Sequence, residues 1–377
     1  MSVQVSAIGF ARFGKRPEGL VELAAESANR ALEGIGRRPI DLLVVGTMLD
    51  HGPRGPASIL PTLASRLGLE AAAGYRVDGA SATGAMAFQH AVLALESGRF
   101  ERALVVAAEK MTDRPTAELT GEIAGSLHAS EVAAGATLPA LAALITQRYL
   151  ERYGGSTASL DAVSVHARAM AARNPNAQFR DEVTREGVAA SRPIALPLRL
   201  LHCSAISDGA VAVVLERGDG PATVRGFGQG FDAVRIVDRS DLTTSTATRV
   251  AAQRAYESAR LTRREIEVAE VHDAFAPFAL LHLEDLGFCG PGESAEWFEK
   301  GWVAPDGRLP VNPSGGLIGR GHPIGATGLA AIAEVALQLR AEAAGHAIAH
   351  VPRVGLAQSV GGIASQNWVT ILGREGA

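Results

Sequence analysis

The sequence predicts an α/β protein made of two repeated halves, each a largely parallel sheet covered by helices on both faces. Two observations carry this expectation. Residues 82–97, ATGAMAFQHAVLALES, and residues 326–341, ATGLAAIAEVALQLRA, share one plan, an Ala-Thr-Gly turn opening an apolar helix. Each is followed by a β-branched, mainly apolar strand, ALVVAAE at 103–109 and VGLAQSV at 354–360. Such strands lack the alternation of a half-exposed sheet, so both of their faces are buried.

Taken in order, the elements repeat. A helix over 19–34 leads to the strand DLLVVGTML at 41–49. The small-residue turn Ala-Thr-Gly then opens the first apolar helix, as it does the second, ATGLAAIAEVALQLR, in which Ala, Leu and Ile recur at spacings of three and four. Residues 111–200 break the pattern. They hold polar stretches such as MTDRPTAELTGE and ARNPNAQFRDEVTREG around one helical segment, LPALAALITQRYLERYG, and read as a lobe inserted into the first half. The second half begins near residue 226. Its helix over 246–260 leads to the strand EVAEVHDAF at 267–275, in step with the first half. The expected domains are therefore 1–225, carrying the lobe, and 226–377.

Composition limits the function. With 377 residues the chain can bury the cores of two to three domains. It is 47% hydrophobic but only 5% aromatic, so the core is built from Ala, Val, Leu and Ile. A net charge of −4 gives no electrostatic basis for binding nucleic acid or an anionic membrane. Cys203 and Cys289 offer neither a disulfide framework nor zinc-ligand spacing. The N-terminal MSVQVSAIGFARFG lacks a leader's charged-then-apolar layout, and VAAGATLPALAALIT at 132–146 is too short and interrupted to span a bilayer. A cytoplasmic protein without a metal site is expected.

The most informative run is NPSGGLIGRGHPIGATG at 312–328. His322 lies among glycines that let main chain approach a ligand, and Pro323 fixes the backbone after it. The run feeds the second apolar helix, so His322 sits beside a helix N-terminus, where unpaired N–H groups favour a developing oxyanion.

This run resembles the C-terminal histidine motif of the thiolase superfamily. Three further segments agree in order and spacing: VHDAFA at 271–276 with the family's NEAF or HDCF, LLHCSAISDGAVAVVL at 200–215 with its SDGA segment, and AQSVGGIASQNWVTIL at 357–372 with its terminal CxGG. The resemblance extends from about residue 3 to the end, and NPNAQFR at 174–180 is similar to the sterol-carrier-protein type. It implies a thiolase fold, two pseudo-two-fold-related βαβαβαββ halves in a five-layered αβαβα arrangement. It also implies a homodimer, a coenzyme A thioester as substrate, no tightly bound cofactor, and an active site where the halves meet.

The site residues follow from the same resemblance. The nucleophile turn is VDGASATGAMAF at 77–88, with Ser81 where the family has cysteine. Ser81 is then a working nucleophile, a replacement for a natural cysteine, a residue in a reaction without an acyl-enzyme, or simply a helix cap. His322 activates the nucleophile. His272 replaces the family's asparagine, so two imidazole N–H donors, from His272 and His322, would share a thioester oxygen. Asp273 is assigned an orienting role. Both usual acid/base cysteines are absent: Ser359 stands in the terminal motif and Ala274 in HDAF. Backbone N–H groups of Ser81 and Gly361 would form a second oxyanion hole. Arginine supplies nearly all the basic charge, through codon bias or for phosphate contacts, and Arg173 and Arg180 are candidates for the coenzyme A phosphates. The activity expected is Claisen or retro-Claisen acyl transfer. The alternatives are retro-aldol cleavage of a β-hydroxyacyl-CoA, with a small zinc-ribbon/OB-fold partner, and a degenerate acyl-CoA-binding subunit.

Overall fold

The computed structural model describes residues 2–49 and 58–374. Its first half runs β1 (Val3–Gly14), α1 (Leu20–Gly34), β2 (Leu42–Gly46), α2 (Ile59–Leu67), β3 (Ala73–Val77), α3 (Thr83–Glu96) and β4 (Arg102–Glu109). A lobe follows: α4 (Thr116–Ala124), α5 (Ala129–Ala133), α6 (Leu138–Tyr153), α7 (Thr157–Arg173), α8 (Arg185–Ala190) and the short strands β5 (Pro193–Ala195) and β6 (Leu198–Arg199). The half closes with β7 (Asp208–Arg217). The second half runs β8 (Thr223–Phe231), α9 (Thr246–Ala259), β9 (Val268–Glu270), α10 (Ala276–Asp285), α11 (Ser294–Glu299), α12 (Gly316–Arg320), α13 (Thr327–Leu339), β10 (Val354–Gly361) and β11 (Gln366–Gly373).

The strands form one nine-stranded sheet in the order β3-β2-β4-β7-β1-β8-β11-β10-β9. It is two sheets joined by one rung, since β1 and β8 pair only at Gln4 and Thr223. In the first, β2 is parallel to β3 and β4, and β7 is antiparallel to β4 and β1. In the second, β10 is parallel to β9, and β11 is antiparallel to β10 and β8. A parallel bridge from Ala269 to Val311 stands where the first half has β3. The chain passes between sheets at 218–222, so the boundary expected after residue 225 falls inside β8.

Helix patterning explains the layers. In α1, Leu23, Ala24, Ala28, Ala31 and Leu32 form one buried stripe, so it covers an outer sheet face. In α13 every residue but Leu337 is buried, as a helix between two sheets requires. Burial of its Leu329, Ile332, Val335 and Leu339 contributes roughly 1.5–3 kcal/mol each. α3 and α13 share a core with strands of both sheets, while α9 covers the far face of the second. The order is helix, sheet, helix, sheet, helix, the five-layered thiolase arrangement expected. The central helices meet at the repeated Ala-Thr-Gly turns. A Cβ on Gly84 would lie 2.5 Å from the Leu329 nitrogen, and one on Gly328 would lie 2.7 Å from both the Ala85 nitrogen and Ser359 Oγ. Only glycine allows this approach.

Two expectations change. The strand expected at 267–275 stops at Glu270, because Val271–Phe275 turns out of the sheet to present its side chains to the site. The stretch 157–173, within the region read as loop-rich, is the seventeen-residue helix α7, packed under α12. No helix among the described residues is long and apolar enough to cross a membrane.

Candidate active site

Ser81 lies at the end of a tight turn between β3 and α3. Thr83 staples the turn, its Oγ1 accepting from the Gly79 N–H at 2.8 Å and donating to the Ala80 carbonyl at 2.6 Å. Asp78 Oδ1 accepts from the Ala80 N–H at 3.0 Å. Ala80 is held at φ +53°, a left-handed conformation that a non-glycine residue adopts only under constraint. Ser81 does not cap the helix: the N-cap is Ala82, without a side-chain hydrogen bond. Of the readings left open for Ser81, the helix cap does not hold, because Thr83 closes this turn instead.

His272 follows β9 at the C-terminal edge of the second sheet. Its backbone N–H donates to Gln358 Oε1 at 2.9 Å, and the Val271 N–H to Asn312 Oδ1 at 2.7 Å. The Val360 N–H donates to His272 Nδ1 at 3.3 Å. A backbone N–H can only donate, so in the neutral ring Nδ1 is the acceptor and Nε2 carries the proton. Asp273 Oδ1 accepts from the Leu317 N–H at 2.6 Å, tying this segment to the start of α12. Burial pushes the Asp273 carboxyl up to about 6.

His322 follows α12. Its backbone N–H donates to Ser207 Oγ at 2.9 Å, and Ser207 in turn bonds Gln178. Its ring Nδ1 is 2.7 Å from Thr327 Oγ1, the threonine of the second Ala-Thr-Gly, which also donates to the Pro323 carbonyl at 3.0 Å. Glu109, at the end of β4, accepts from the N–H groups of Met48 (2.9 Å), Leu49 (3.1 Å) and Gly325 (3.0 Å) and from Thr47 Oγ1 (3.0 Å). It anchors the His322 turn to the first sheet, and burial raises its carboxyl to about 7.

These residues, spread over most of the chain, form one constellation. The two imidazole rings stand 5.5 Å apart, centroid to centroid, and nearly perpendicular. Ser359 Oγ donates to the Ser81 carbonyl at 3.3 Å, and the next residue, Val360, bonds His272. A Cβ on Gly361 would lie 2.7 Å from the Gly79 carbonyl, so the terminal turn lies against the nucleophile turn. Burial keeps both rings neutral: His272 lies well below the ordinary histidine range, with His322, His282 and Arg320 adding repulsion, and His322 is lowered to about 3, with Arg320 adding. Neither cysteine joins the group. Cys203 donates to the Arg199 carbonyl at 3.4 Å, and burial raises its thiol to about 12. Among the described residues no set of His, Cys, Asp or Glu is arranged to hold a metal ion.

Arg173 and Arg180 are exposed at and beyond the end of α7, with Arg180 Nε donating to the Ala172 carbonyl at 3.1 Å. The rest of NPNAQFR is no surface loop. Asn174 is fully buried and bonds Glu334 and the Ser314 carbonyl, both at 3.0 Å, and the Gln178 N–H donates to the Arg320 carbonyl at 2.9 Å. This segment braces the histidine loop.

Comparison with known proteins agrees with this architecture. Residues 5–194 match the family described as Thiolase, N-terminal domain, and residues 228–374 the family described as Thiolase C-terminal domain-like. The chain belongs to the thiolase superfamily. It is 38% identical to an acetyl-CoA acetyltransferase of Methanothermobacter thermautotrophicus, over 94% of both chains. It is 30% identical to human sterol carrier protein 2, over 90% of this chain and 66% of that one. A solved structure, the Ltp2-ChsH2(DUF35) aldolase, superposes with a TM-score of 0.84 at 26% identity, covering 100% of this chain and 98% of that one. This thiolase is of the sterol-carrier-protein-like kind, an acyltransferase-class enzyme whose chemistry lies at the carbon–carbon bond beside an acyl-CoA thioester.

Within this thiolase, sequence reasoning missed the supports: Glu109, Ser207, Asn312, Thr327 and Gln358. Ser207, Asn312, Thr327 and Gln358 lie within the motifs quoted above, and Glu109 is a carboxylate ending the apolar run 103–108.

Proposed function

We propose that the site acts as a base–donor pair around a thioester enolate, with Ser81 carrying the acyl group in a Claisen or retro-Claisen transfer. The observation that carries this reading is the opposite hydrogen bonding of the two imidazoles. His272, its Nδ1 engaged by the Val360 N–H, presents an Nε2–H donor to the thioester oxygen. On His322, Nδ1–H bonds Thr327, whose own proton goes to the Pro323 carbonyl, and Nε2 keeps a lone pair. This revises the expectation of two N–H donors sharing one oxygen, since His322 donates only after it has taken a proton. Its Nε2 removes the Ser81 hydroxyl proton as Oγ attacks the thioester carbon. The C–S bond breaks, and the thiolate leaves with that proton. His322 Nε2, free again, takes an α-proton from a second acyl-CoA. The enolate, held by His272 Nε2–H, attacks the acyl ester, the carbon–carbon bond forms, and the ester C–O bond breaks as Ser81 Oγ takes that proton back from His322.

A second reading is favoured by one observation: no thiol stands at position 81, 274 or 359. Retro-aldol cleavage needs none. His322 Nε2 would take the β-hydroxyl proton, the Cα–Cβ bond would break to give a carbonyl compound, and the enolate would rest on His272 Nε2–H until Cα is protonated. The Ltp2-ChsH2(DUF35) aldolase supports this reading and suggests a small partner protein. Under either reading we propose a cytoplasmic homodimer without a tightly bound cofactor. β3 supports the homodimer, since it is the half-exposed edge of the sheet with one strand neighbour among the described residues.

The deciding experiment is mass spectrometry of wild type and Ser81→Cys after incubation with acetyl-CoA and longer acyl-CoAs. Acyl transfer predicts an adduct on residue 81, more abundant in the cysteine variant because a thiolate forms near neutral pH. Release of an aldehyde or ketone from a β-hydroxyacyl-CoA, with no adduct in either protein, selects the aldolase. Neither product, and no exchange of acyl-CoA α-protons into deuterated water, defeats both.

A further inference from the structure

Behind the two histidines lies a buried charged cluster that the chemistry above does not use. Arg320 is fully buried. Its Nη1 donates to Ser314 Oγ at 3.1 Å and lies 3.8 Å from Glu270 Oε2 and 3.7 Å from Glu334 Oε1. Its Nε and Nη2 make no hydrogen bond within the described protein. Glu270 accepts from the Ser314 N–H at 3.1 Å and from Ser314 Oγ at 2.7 Å. Glu334, on α13, pairs with His346 Nε2 at 2.7 Å and with Asn174 Nδ2 at 3.0 Å.

We propose that Arg320 is a positioning residue that ties the two histidine-bearing segments together and sets the electrostatic environment of both rings. The inference rests on the enolate reading above and extends it. The geometry carries it. Glu270 is two residues before His272, and Arg320 is two residues before His322. Ser314, bonded to both side chains, joins the end of β9 to the loop entering α12. A buried guanidinium with two nitrogens making no hydrogen bond in the protein, and the Phe13 ring 5.7 Å away as its further neighbour, is a poor choice for stability, because incomplete pairing does not return the cost of desolvating its charge. Its position gives a functional account instead.

The charged and titratable groups around it divide by sign. Burial pushes the Glu270 carboxyl up, with Arg320 opposing. Burial also acts to raise Glu334, but His346, Arg320 and Asn174 together hold that carboxyl low. Asp273 is raised by burial, while His272, His282 and His322 are all lowered by it. Arg320 is thus a buried cation beside Glu270 and Glu334 that disfavours a positive charge on His272 and His322.

Arg320→Met tests this, with Arg320→Lys as the conservative control. The readouts are the ring-nitrogen titration of His272 and His322 by NMR and the pH profile of α-proton exchange. In Arg320→Met both titrations are expected to move up by about one unit, the scale of a nearby like charge, and the acidic limb of exchange to move with them. Arg320→Lys should restore the titrations but not the full rate, since an ammonium lacks the planar fork. A folded Arg320→Met with unchanged titrations and acidic limb overturns the inference. If that variant does not fold, an Arg320→Lys protein with wild-type turnover overturns it. Wild-type protein without exchange sinks the enolate reading itself, a result separable from the other two.

Discussion

Thr327→Val removes the hydroxyl oxygen 2.7 Å from His322 Nδ1 while keeping the side chain's shape. Thr327 is 1% exposed, so water does not readily replace the lost acceptor. Leaving a buried donor unsatisfied costs about 1–3 kcal/mol. At about 1.4 kcal/mol per factor of ten, that is roughly 5- to 150-fold. The same energy separates the working tautomer, with its proton on Nδ1, from the alternative that moves the proton to Nε2 and abolishes the base. Turnover should therefore fall by about that factor at nearly constant KM, because the substrate contacts are untouched. The assay is α-proton exchange of an acyl-CoA in deuterated water, paired with ring-nitrogen NMR of His322 in both proteins. Thr327→Ser, which restores the hydroxyl, should recover most of the rate. Wild-type spectra with the proton on Nε2, or a folded Thr327→Val with full activity, would refute the tautomer argument.

His272→Ala should reduce exchange by about a hundredfold or more, as for other single oxyanion donors. The ring is only 3% exposed, so the melting temperature should fall as well, and His272→Gln should keep more stability than activity. Stability should peak between about pH 4.5 and 6.5 in thermal melts across pH. His272, His282 and His322 have lowered values, the last two about 3, so their contribution is present above about 6.5 and lost as pH falls toward 3. Glu109 and Asp285 are raised to about 7 and Asp273 to about 6, so theirs is present below about 4 and lost as pH rises through those values. A stability maximum above pH 7.5 would contradict the raised carboxyls, and one below pH 4 would contradict the lowered histidines. Charge reversal of Arg173 and Arg180 together should weaken coenzyme A binding without changing the melting temperature, and unchanged affinity by calorimetry would remove both as phosphate ligands. Gly328→Val should destabilise by more than the roughly 1–3 kcal/mol of ordinary overpacking, because its Cβ alone would stand 2.7 Å from the Ala85 nitrogen and Ser359 Oγ. Urea melts measure it, and a wild-type midpoint would show that the helices do not meet there.

The two repeated halves, the apolar helices opening at the Ala-Thr-Gly turns, and His272, His322 and Ser81 as candidate site residues are legible in the sequence. Those features are local. Burial periodicity, a glycine-rich loop and a short motif are written in neighbouring positions, and the stretch that forms α13 reads as a buried helix although it carries Glu334 and Gln338. The tertiary structure alone decided what those residues can do. The tautomer of His272 follows from the Val360 N–H, 88 positions away, and the placing of His322 depends on Glu109 and Ser207, contributed by the other half. It also turned NPNAQFR from a polar loop into a buried brace, because Asn174 finds Glu334 and Ser314 only once α7 lies under α12. Arg320, one charge among glycines in the sequence, gained a role only when folding brought Glu270 and Glu334 beside it. Hydrogen-bond direction and desolvation depend on which groups meet in space, and linear spacing does not record those meetings.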